Sequence, residues 1–317
     1  MLTLTSGEYM KYVYIFACHE DEVSLCRLEM RSLFGMDTES MVLESNVRIE
    51  PRRSPFIKER IEVIYRGTTR EGLAEQIKQM EQIETTFKVM FISHGGKSDK
   101  VDFQERRKIE RDFGLLLKGE ADLKDPELIF AVMKIDGCWL FGTYLKGESV
   151  WLQHQKKPQN YSTALSTRVA RAVVNIGVPH PKGMKAIDPC CGIGTVLIEA
   201  LSMGIDIVGS DINPLAAIGA RTNVAHFGFT CEVLLRDIRK VSGRYDVAFI
   251  DMPYNLCSVL DPNEQLSMLQ HARTFTDKLV VITIETIDSI IIEAGFDIID
   301  RCVAKKAGFT RQVIVCN

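Results

Sequence analysis

No stretch of the 317-residue sequence is apolar for long enough to span a bilayer, and no signal-peptide pattern is present. Membrane-embedded and secreted classes are therefore set aside. None of the nine cysteines forms a Cys-x-x-Cys pair or a zinc-finger spacing. An odd, scattered set of thiols fits a reducing cytoplasm rather than a disulfide framework, and no metal is called for. Internal repeats and low-complexity tracts are missing. Net charge is low, −3, so no global field argues for a nucleic-acid partner and any such case must be local. What remains is an ordinary globular composition, 46% hydrophobic, in a chain long enough for two or three domains.

The chain is organised around Ala186-Ile187-Asp188-Pro189-Cys190-Cys191-Gly192-Ile193-Gly194-Thr195-Val196-Leu197-Ile198-Glu199-Ala200. Ala186 and Ile187 close a short apolar strand. Gly192 and Gly194 let the backbone turn sharply and approach a ligand. Val196, Leu197 and Ala200 recur at helical spacing. A strand, glycine loop and helix in this order form the nucleotide-binding corner of α/β sheets. This stretch has no Gly-Lys-Ser/Thr to hold ATP phosphates. The third glycine of a dinucleotide fingerprint would fall at Leu197. Asp188, just before the glycines, suits a ligand with a cationic end and no phosphates, and S-adenosylmethionine meets that description.

Three further acids follow at strand ends. Ile205-Asp206-Ile207-Val208-Gly209-Ser210-Asp211 reads as the second strand, and Asp211 stands 23 positions after Asp188. An acid so spaced accepts hydrogen bonds from ribose hydroxyls, with helix capping as the alternative. Val233-Leu234-Leu235 precedes Arg236-Asp237-Ile238, where Asp237 is placed either to accept from an adenine amine or simply to turn the chain. Tyr245-Asp246-Val247-Ala248-Phe249-Ile250-Asp251-Met252-Pro253-Tyr254 delivers an acid, a proline and an aromatic from a buried strand. Asp251 can accept from an exocyclic amine, Pro253 stiffens the turn and Tyr254 offers a face for an unstacked base. A strand ending in a plain β-turn has the same residues.

The first half alternates differently. Residues 1–10 read as an extension, with Met10 a possible start. Tyr12–Phe16 is a strand and Glu22–Phe34 a helix stopped by Gly35. A basic stretch with Arg48, Arg52, Arg53, Lys58, Arg60, Arg66 and Arg70 encloses the strand Ile61–Tyr65; it is either a solvated face or a phosphate-contacting patch. A helix from Thr69 to about Ile83, a strand Phe87–Ile92 and a charged helix Gln104–Gly114 follow. Leu128–Ile135 and Cys138–Tyr144 are strands joined by Asp136-Gly137, a strong hairpin signal. Residues 151–165 read as a polar linker, and Lys156, Lys157, Arg168 and Arg171 stand between 151 and 180 without an acid. That local charge either faces nucleic acid or packs against the second half, where Ser166–Ile176 is a capped helix.

A helix ending near a glycine, then Ala121-Asp122-Leu123 with Pro126-Glu127, then a hairpin, resembles the second half of a THUMP domain. That resemblance implies binding to the acceptor end of tRNA. The second half resembles the class I S-adenosylmethionine-dependent methyltransferases of the THUMP-linked RNA-modifying kind, on Asp188 to Thr195, Asp211, Asp237 and Asp251 to Tyr254. It implies an α/β fold with a mixed seven-stranded sheet, preceded by an α+β, ferredoxin-like and THUMP region. The implied division is 1–59 ferredoxin-like, 60–150 THUMP-like, 151–165 linker and 166–317 catalytic. The cofactor would sit on Asp188, Pro189, Cys190, Gly192, Gly194 and Thr195, with Asp211-Ile212 and Asp237-Ile238 on its nucleoside end. Asp251, Met252, Pro253 and Tyr254 match an Asp/Asn-Pro-Pro-Tyr motif that serves amine methylation, and Arg52, Arg53, Lys58, Lys156, Lys157 and Arg168 would meet RNA. Met252 departs from the motif's proline, but its backbone carbonyl is still an acceptor. Asn255 stands where a glycine is common. The implied reaction is transfer to the N2 amine of a tRNA guanosine. Methylation of ribosomal RNA guanine or adenine N6, a protein glutamine as substrate, a non-catalytic binding protein and a nucleotide-dependent oxidoreductase are the rivals. Cys190 and Cys191 read as packing residues rather than nucleophiles.

Overall fold

The computed structural model describes residues 11–93, 101–160, 164–253, 260–306 and 309–317. From the N-terminus run β1 (Tyr12–Phe16), α1 (Val23–Phe34), β2 (Val42–Ser45), β3 (Ile57–Gly67), α2 (Arg70–Ile77), β4 (Phe87–Ile92), α3 (Phe103–Gly114), β5 (Leu128–Ile135) and β6 (Cys138–Lys146). Then come α4 (Thr167–Gly177), β7 (Lys185–Asp188), α5 (Thr195–Ser202), β8 (Asp206–Asp211), α6 (Pro214–His226), β9 (Val233–Leu235) and β10 (Val247–Asp251). The chain closes with α7 (Pro262–Phe275), β11 (Leu279–Thr283), α8 (Asp288–Glu293), β12 (Ile298–Lys306) and β13 (Phe309–Cys316).

Local chemistry explains most boundaries. Asp136 and Gly137 take φ of 49° and 83°, the left-handed pair a tight hairpin requires, and they join β5 to β6. Gly35 ends α1 at φ 71°. The side chains of Thr69, Asp102, Ser166, Asn213 and Asp261 accept from the first-turn amides of α2, α3, α4, α6 and α7. α2 stops at Ile77, six residues before its expected end. α7 was not expected, although Asp261-Pro262 is a start signal and Met268, Leu269, Ala272 and Phe275 bury at helical spacing.

The described residues divide into two units, those within 11–17, 38–52 and 57–148 against those within 18–37, 53–56 and 149–317. The first unit is a six-stranded sheet in the order β2-β1-β3-β6-β5-β4, parallel only between β4 and β5. Leu73, Ile77, Phe87, Phe113, Phe130 and Phe141 form its core under α2 and α3, with the rings of Phe130 and Phe141 stacked at 5.0 Å. β3 runs through positions 59 and 60 and pairs with both β1 and β6, so the division placed there by the sequence reading falls inside one strand.

The second unit holds a seven-stranded sheet in the order β12-β13-β11-β10-β7-β8-β9, with β13 alone antiparallel to its neighbours. This is the class I methyltransferase order, and the expected mixed seven-stranded α/β sheet is present. The reversal of strand order lies between β7 and β10, where ligands bind beyond the carboxyl ends of the strands. Residues 151–155 are not a free linker: they form a short 3-10 helix that buries Trp151 and His154 in this unit. α1 also belongs here, packed on α4 and β12. A fully buried carboxylate needs partners, and Glu29 on α1 accepts from Ser54 Oγ at 2.5 Å and Asn175 Nδ2 at 2.6 Å. Such long-range pairing is what sequence proximity could not show. No helix among the described residues is long and apolar enough to cross a membrane.

Candidate active site

Asp188 ends β7 on a buried position, 4% exposed, and its Oδ1 accepts from the Cys190 amide at 3.2 Å. The chain then turns through Gly192 at φ 53° and Gly194 at φ 81° into α5. A Cβ on Gly194 would stand 3.2 Å from that of Ala220 on α6, so the position needs glycine both for its backbone and for its space. Asp211 ends β8 and reaches back into this loop: its Oδ2 accepts from the Gly192 amide at 2.8 Å and its Oδ1 from the Asn213 amide at 2.8 Å. Asp211 thus braces both the glycine loop and the start of α6. Thr195 opens α5, and its hydroxyl accepts from Lys157 Nζ at 2.9 Å.

Asp251 ends β10. Its Oδ1 is buried and has no hydrogen-bond partner within the described residues. Burial pushes its carboxyl up to about 7, opposed by the positive charge of Arg311. Asp188 is likewise raised, first by burial and then by the fields of Asp251 and Asp211, while the Cys190 amide lowers it. Acids that repel each other at the switch point are poised to receive a cation. A cavity of about 160 Å³ opens between them, lined among others by Asp188, Gly192, Thr195, Asp251 and Met252. Met252 is buried and its amide donates to the Ile282 carbonyl at 2.8 Å, which fixes the turn after β10. Pro253 lines the cavity; Tyr254, Asn255 and Cys257 lie outside the described residues.

The remaining expected residues fall differently. Pro189 and Cys190 sit in the loop, and Ile212 lies exposed just past β8. Asp237 caps a short 3-10 turn and is held in a two-point ion pair by Arg239, which keeps its carboxyl below the usual range. Ile238 is buried under it. Cys190 has its thiol raised well above its ordinary value by burial, and Cys191 is raised too, so both are inert and pack.

Of the six basic residues expected to meet RNA, three are engaged inside the second unit. Arg53 donates to Asn175 Oδ1 at 2.9 Å, to the Pro179 carbonyl at 2.6 Å and to the Val178 carbonyl. Lys157 is buried on Thr195. Arg168 pairs with Glu22 at 3.3 Å and lies over the rings of Phe56 and Trp151. Arg52 and Lys156 are exposed and Lys58 is half-buried. Missed altogether was a buried cluster behind α5. Glu199 on α5 accepts from Arg171 at 2.6 Å and lies within hydrogen-bond distance of His154 Nδ1 at 2.7 Å. Its signal was available: one acid in an otherwise apolar helix turn implies a buried partner.

Residues 154–272 match the protein family described as RMKL-like, methyltransferase domain. The chain is 29% identical over 198 residues to a Methanothermobacter thermautotrophicus protein named tRNA (guanine(10)-N2)-dimethyltransferase, covering 59% of this chain and 56% of that one. A Pyrococcus abyssi protein of the same name is 36% identical over 73 residues, 23% of this chain and 21% of that one. The chain therefore spans about half the length, or less, of these relatives. Among solved structures it is similar to TrmN from Thermus thermophilus, with a TM-score of 0.48 and 16% identity over 96% of this chain and 99% of that one. The second unit thus has the class I strand order, a glycine loop after β7 and acids at the ends of β7, β8 and β10, and residues 154–272 within it are similar to the RMKL-like methyltransferase domain.

Proposed function

We propose that this chain methylates the N2 amine of a guanosine in tRNA, with S-adenosylmethionine as methyl donor. The observation that carries the reading is Asp251 at the end of β10: its buried Oδ1 has no hydrogen-bond partner among the described residues, and the residue lines the same cavity as the Asp188 loop. An orphaned buried acceptor is costly unless a ligand donor completes it. The residues present fit the donor. Asp188 and the glycine loop would take its methionine end, and Asp211 its ribose. The bound donor supplies an electrophilic methyl.

Everything else falls to the chain. The target amine is a weak nucleophile because its lone pair is delocalised into the ring. Asp251 and the Met252 carbonyl would each accept one amine proton and so hold the lone pair toward the methyl. Positioning of this kind supplies most of the acceleration when the electrophile is already activated. Asp251 takes the proton as positive charge develops on nitrogen. A carboxyl at about 7 is half ionised near neutral pH and ready for that role.

The names of the archaeal relatives support guanine at position 10 as the target. The first unit is proposed as the tRNA-holding module, on the THUMP-like Ala121-Asp122-Leu123 and the hairpin that follows it. Arg52, Lys58 and Lys156 are proposed as its phosphate contacts and those of the adjoining segments. A cytoplasmic setting is proposed, since every described cysteine is free. The test is transfer of labelled methyl to unmodified tRNA, with wild type beside Asp251→Ala and nucleoside analysis of the product. N2-methylguanosine from wild type alone supports the reading. Methyladenosine would change the substrate, and bound donor without transfer would make this a binding protein.

A further inference from the structure

Arg311 has no part in the motifs of the domain, yet the sheet carries it to the site. Asp251 on β10 pairs with Ile282 on β11, and Ile282 pairs with Val313 on β13. Paired residues in adjacent strands point to the same face, and so do residues two apart on one strand. Arg311 therefore shares the face of Asp251. Because β13 runs antiparallel, Arg311 stands two positions beyond Val313 in the direction in which β10 ends. It overhangs the carboxyl edge of the sheet, past Thr283, where β11 stops. Two strand spacings across, about 9–10 Å, and two residues along, about 7 Å, put the Cα atoms roughly 12 Å apart, a gap that the arginine and aspartate side chains can together bridge. Arg311 is 8% exposed, and its charge acts on the Asp251 carboxylate.

A buried guanidinium beside the amine acceptor has a definite chemistry. It is a fork of donors with no acceptor, so it selects a carbonyl or ring nitrogen and rejects an amine. In guanine, the C2 amine and the C6 carbonyl flank N1 on one edge of the ring. If Asp251 and the Met252 carbonyl hold the amine, the C6 oxygen lies further along the same edge, and a base whose edge runs from β10 toward β11 and β13 would bring it toward Arg311.

We infer that Arg311 is the residue that reads the guanine carbonyl, donating to O6 while Asp251 accepts from the N2 amine. The inference rests on the guanine-N2 reading above and goes beyond it by naming what identifies the base. A purine with the same C2 amine but no C6 oxygen would lose the contact with Arg311. One with an amine at C6 would set donor against donor. Adenine is excluded by the same contact.

The experiment uses the full-length protein and two tRNAs that differ only at the methylated position, guanine in one and 2-aminopurine in the other. 2-Aminopurine keeps the target amine and lacks O6. Wild type should prefer guanine in kcat/KM by roughly 10- to 100-fold, the discrimination of one well-placed arginine contact to a base edge. Arg311→Met should bring that ratio toward one, because the loss falls on guanine. Comparing ratios cancels any general weakening of the variant. Binding of S-adenosylmethionine by Arg311→Met shows that the domain is folded. If it does not bind, Arg311→Lys, which keeps the charge and the stem but not the fork, serves for the same comparison. An unchanged ratio, with both substrates losing equally, would overturn the assignment and leave guanine-N2 transfer standing. Methyl transfer by wild type to neither tRNA would instead overturn the functional reading, and the assignment with it.

Discussion

Asp251 concentrates the chemistry in one carboxyl. Its replacement by alanine removes the acceptor while leaving Asp188, Asp211 and the glycine loop in place. Asp251→Ala should lower kcat/KM for tRNA by roughly 10²- to 10⁴-fold, the range for a positioned proton acceptor. Affinity for S-adenosylmethionine, measured by titration calorimetry, should change little beside that loss. The pH profile follows from the same residue. Burial raises its carboxyl to about 7, so the ionised fraction shrinks tenfold per pH unit below that value. The logarithm of kcat/KM should therefore climb with unit slope up to about pH 7 and then level. A profile flat between pH 5.5 and 8 would deny Asp251 its role.

At the scale of elements, the turn from β7 into α5 matters most. Gly194 combines a left-handed φ of 81° with close approach to α6. Gly194→Ala is strained on both counts, and the shift it forces moves the loop amides and the start of α5. Binding of S-adenosylmethionine should weaken by roughly 5- to 150-fold, as an estimate from about 1–3 kcal/mol of local strain, while circular dichroism remains that of a folded α/β protein. In the first unit, a Cβ at position 142 would lie 2.1 Å from the Glu62 carbonyl oxygen, against the irregular step in β3 between Val63 and Tyr65. Gly142→Ala should destabilise that sheet by about 1–3 kcal/mol or more, since backbone must move to make room. Urea unfolding followed by the fluorescence of Trp139 on β6 would register it.

At the scale of the whole molecule, each unit is held by contacts distant in sequence. The second unit recruits α1 from the first quarter of the chain, and Glu29 is its buried anchor. Burial pushes Glu29 up to about 7, against lowering by Ser54 and Asn175. Its folded value thus exceeds its unfolded one. The stability it contributes is fully present below about pH 4.5 and is lost as pH rises through about 7, a total on the order of a few kcal/mol. Glu29→Gln removes the titration and keeps an acceptor for Asn175. Denaturant midpoints measured from pH 5 to 9 should fall across neutrality in wild type and stay flatter in the variant. Parallel curves would place the sensitivity elsewhere.

The sequence by itself determined what depends on neighbours a few residues apart. The glycine loop, the acids closing β7, β8 and β10, the Asp136-Gly137 turn and the capped start of α4 are all local, because turns, caps and strand ends are set by backbone preferences at short range. From these the methyltransferase-like half was legible, and its sheet with it. The tertiary structure alone decided which charges are buried in pairs. Arg53, Lys157 and Arg168 look like RNA contacts in a basic stretch, yet Glu22 and the carbonyls of Val178 and Pro179, more than a hundred residues away from their partners in sequence, and Thr195 claim them. It alone put Arg311 on the same sheet face as Asp251, sixty positions earlier, because strand pairing aligns residues whose separation along the chain holds no trace of it. Burial, pairing and register are properties of the folded sheet, and they fix which side chains remain to do chemistry.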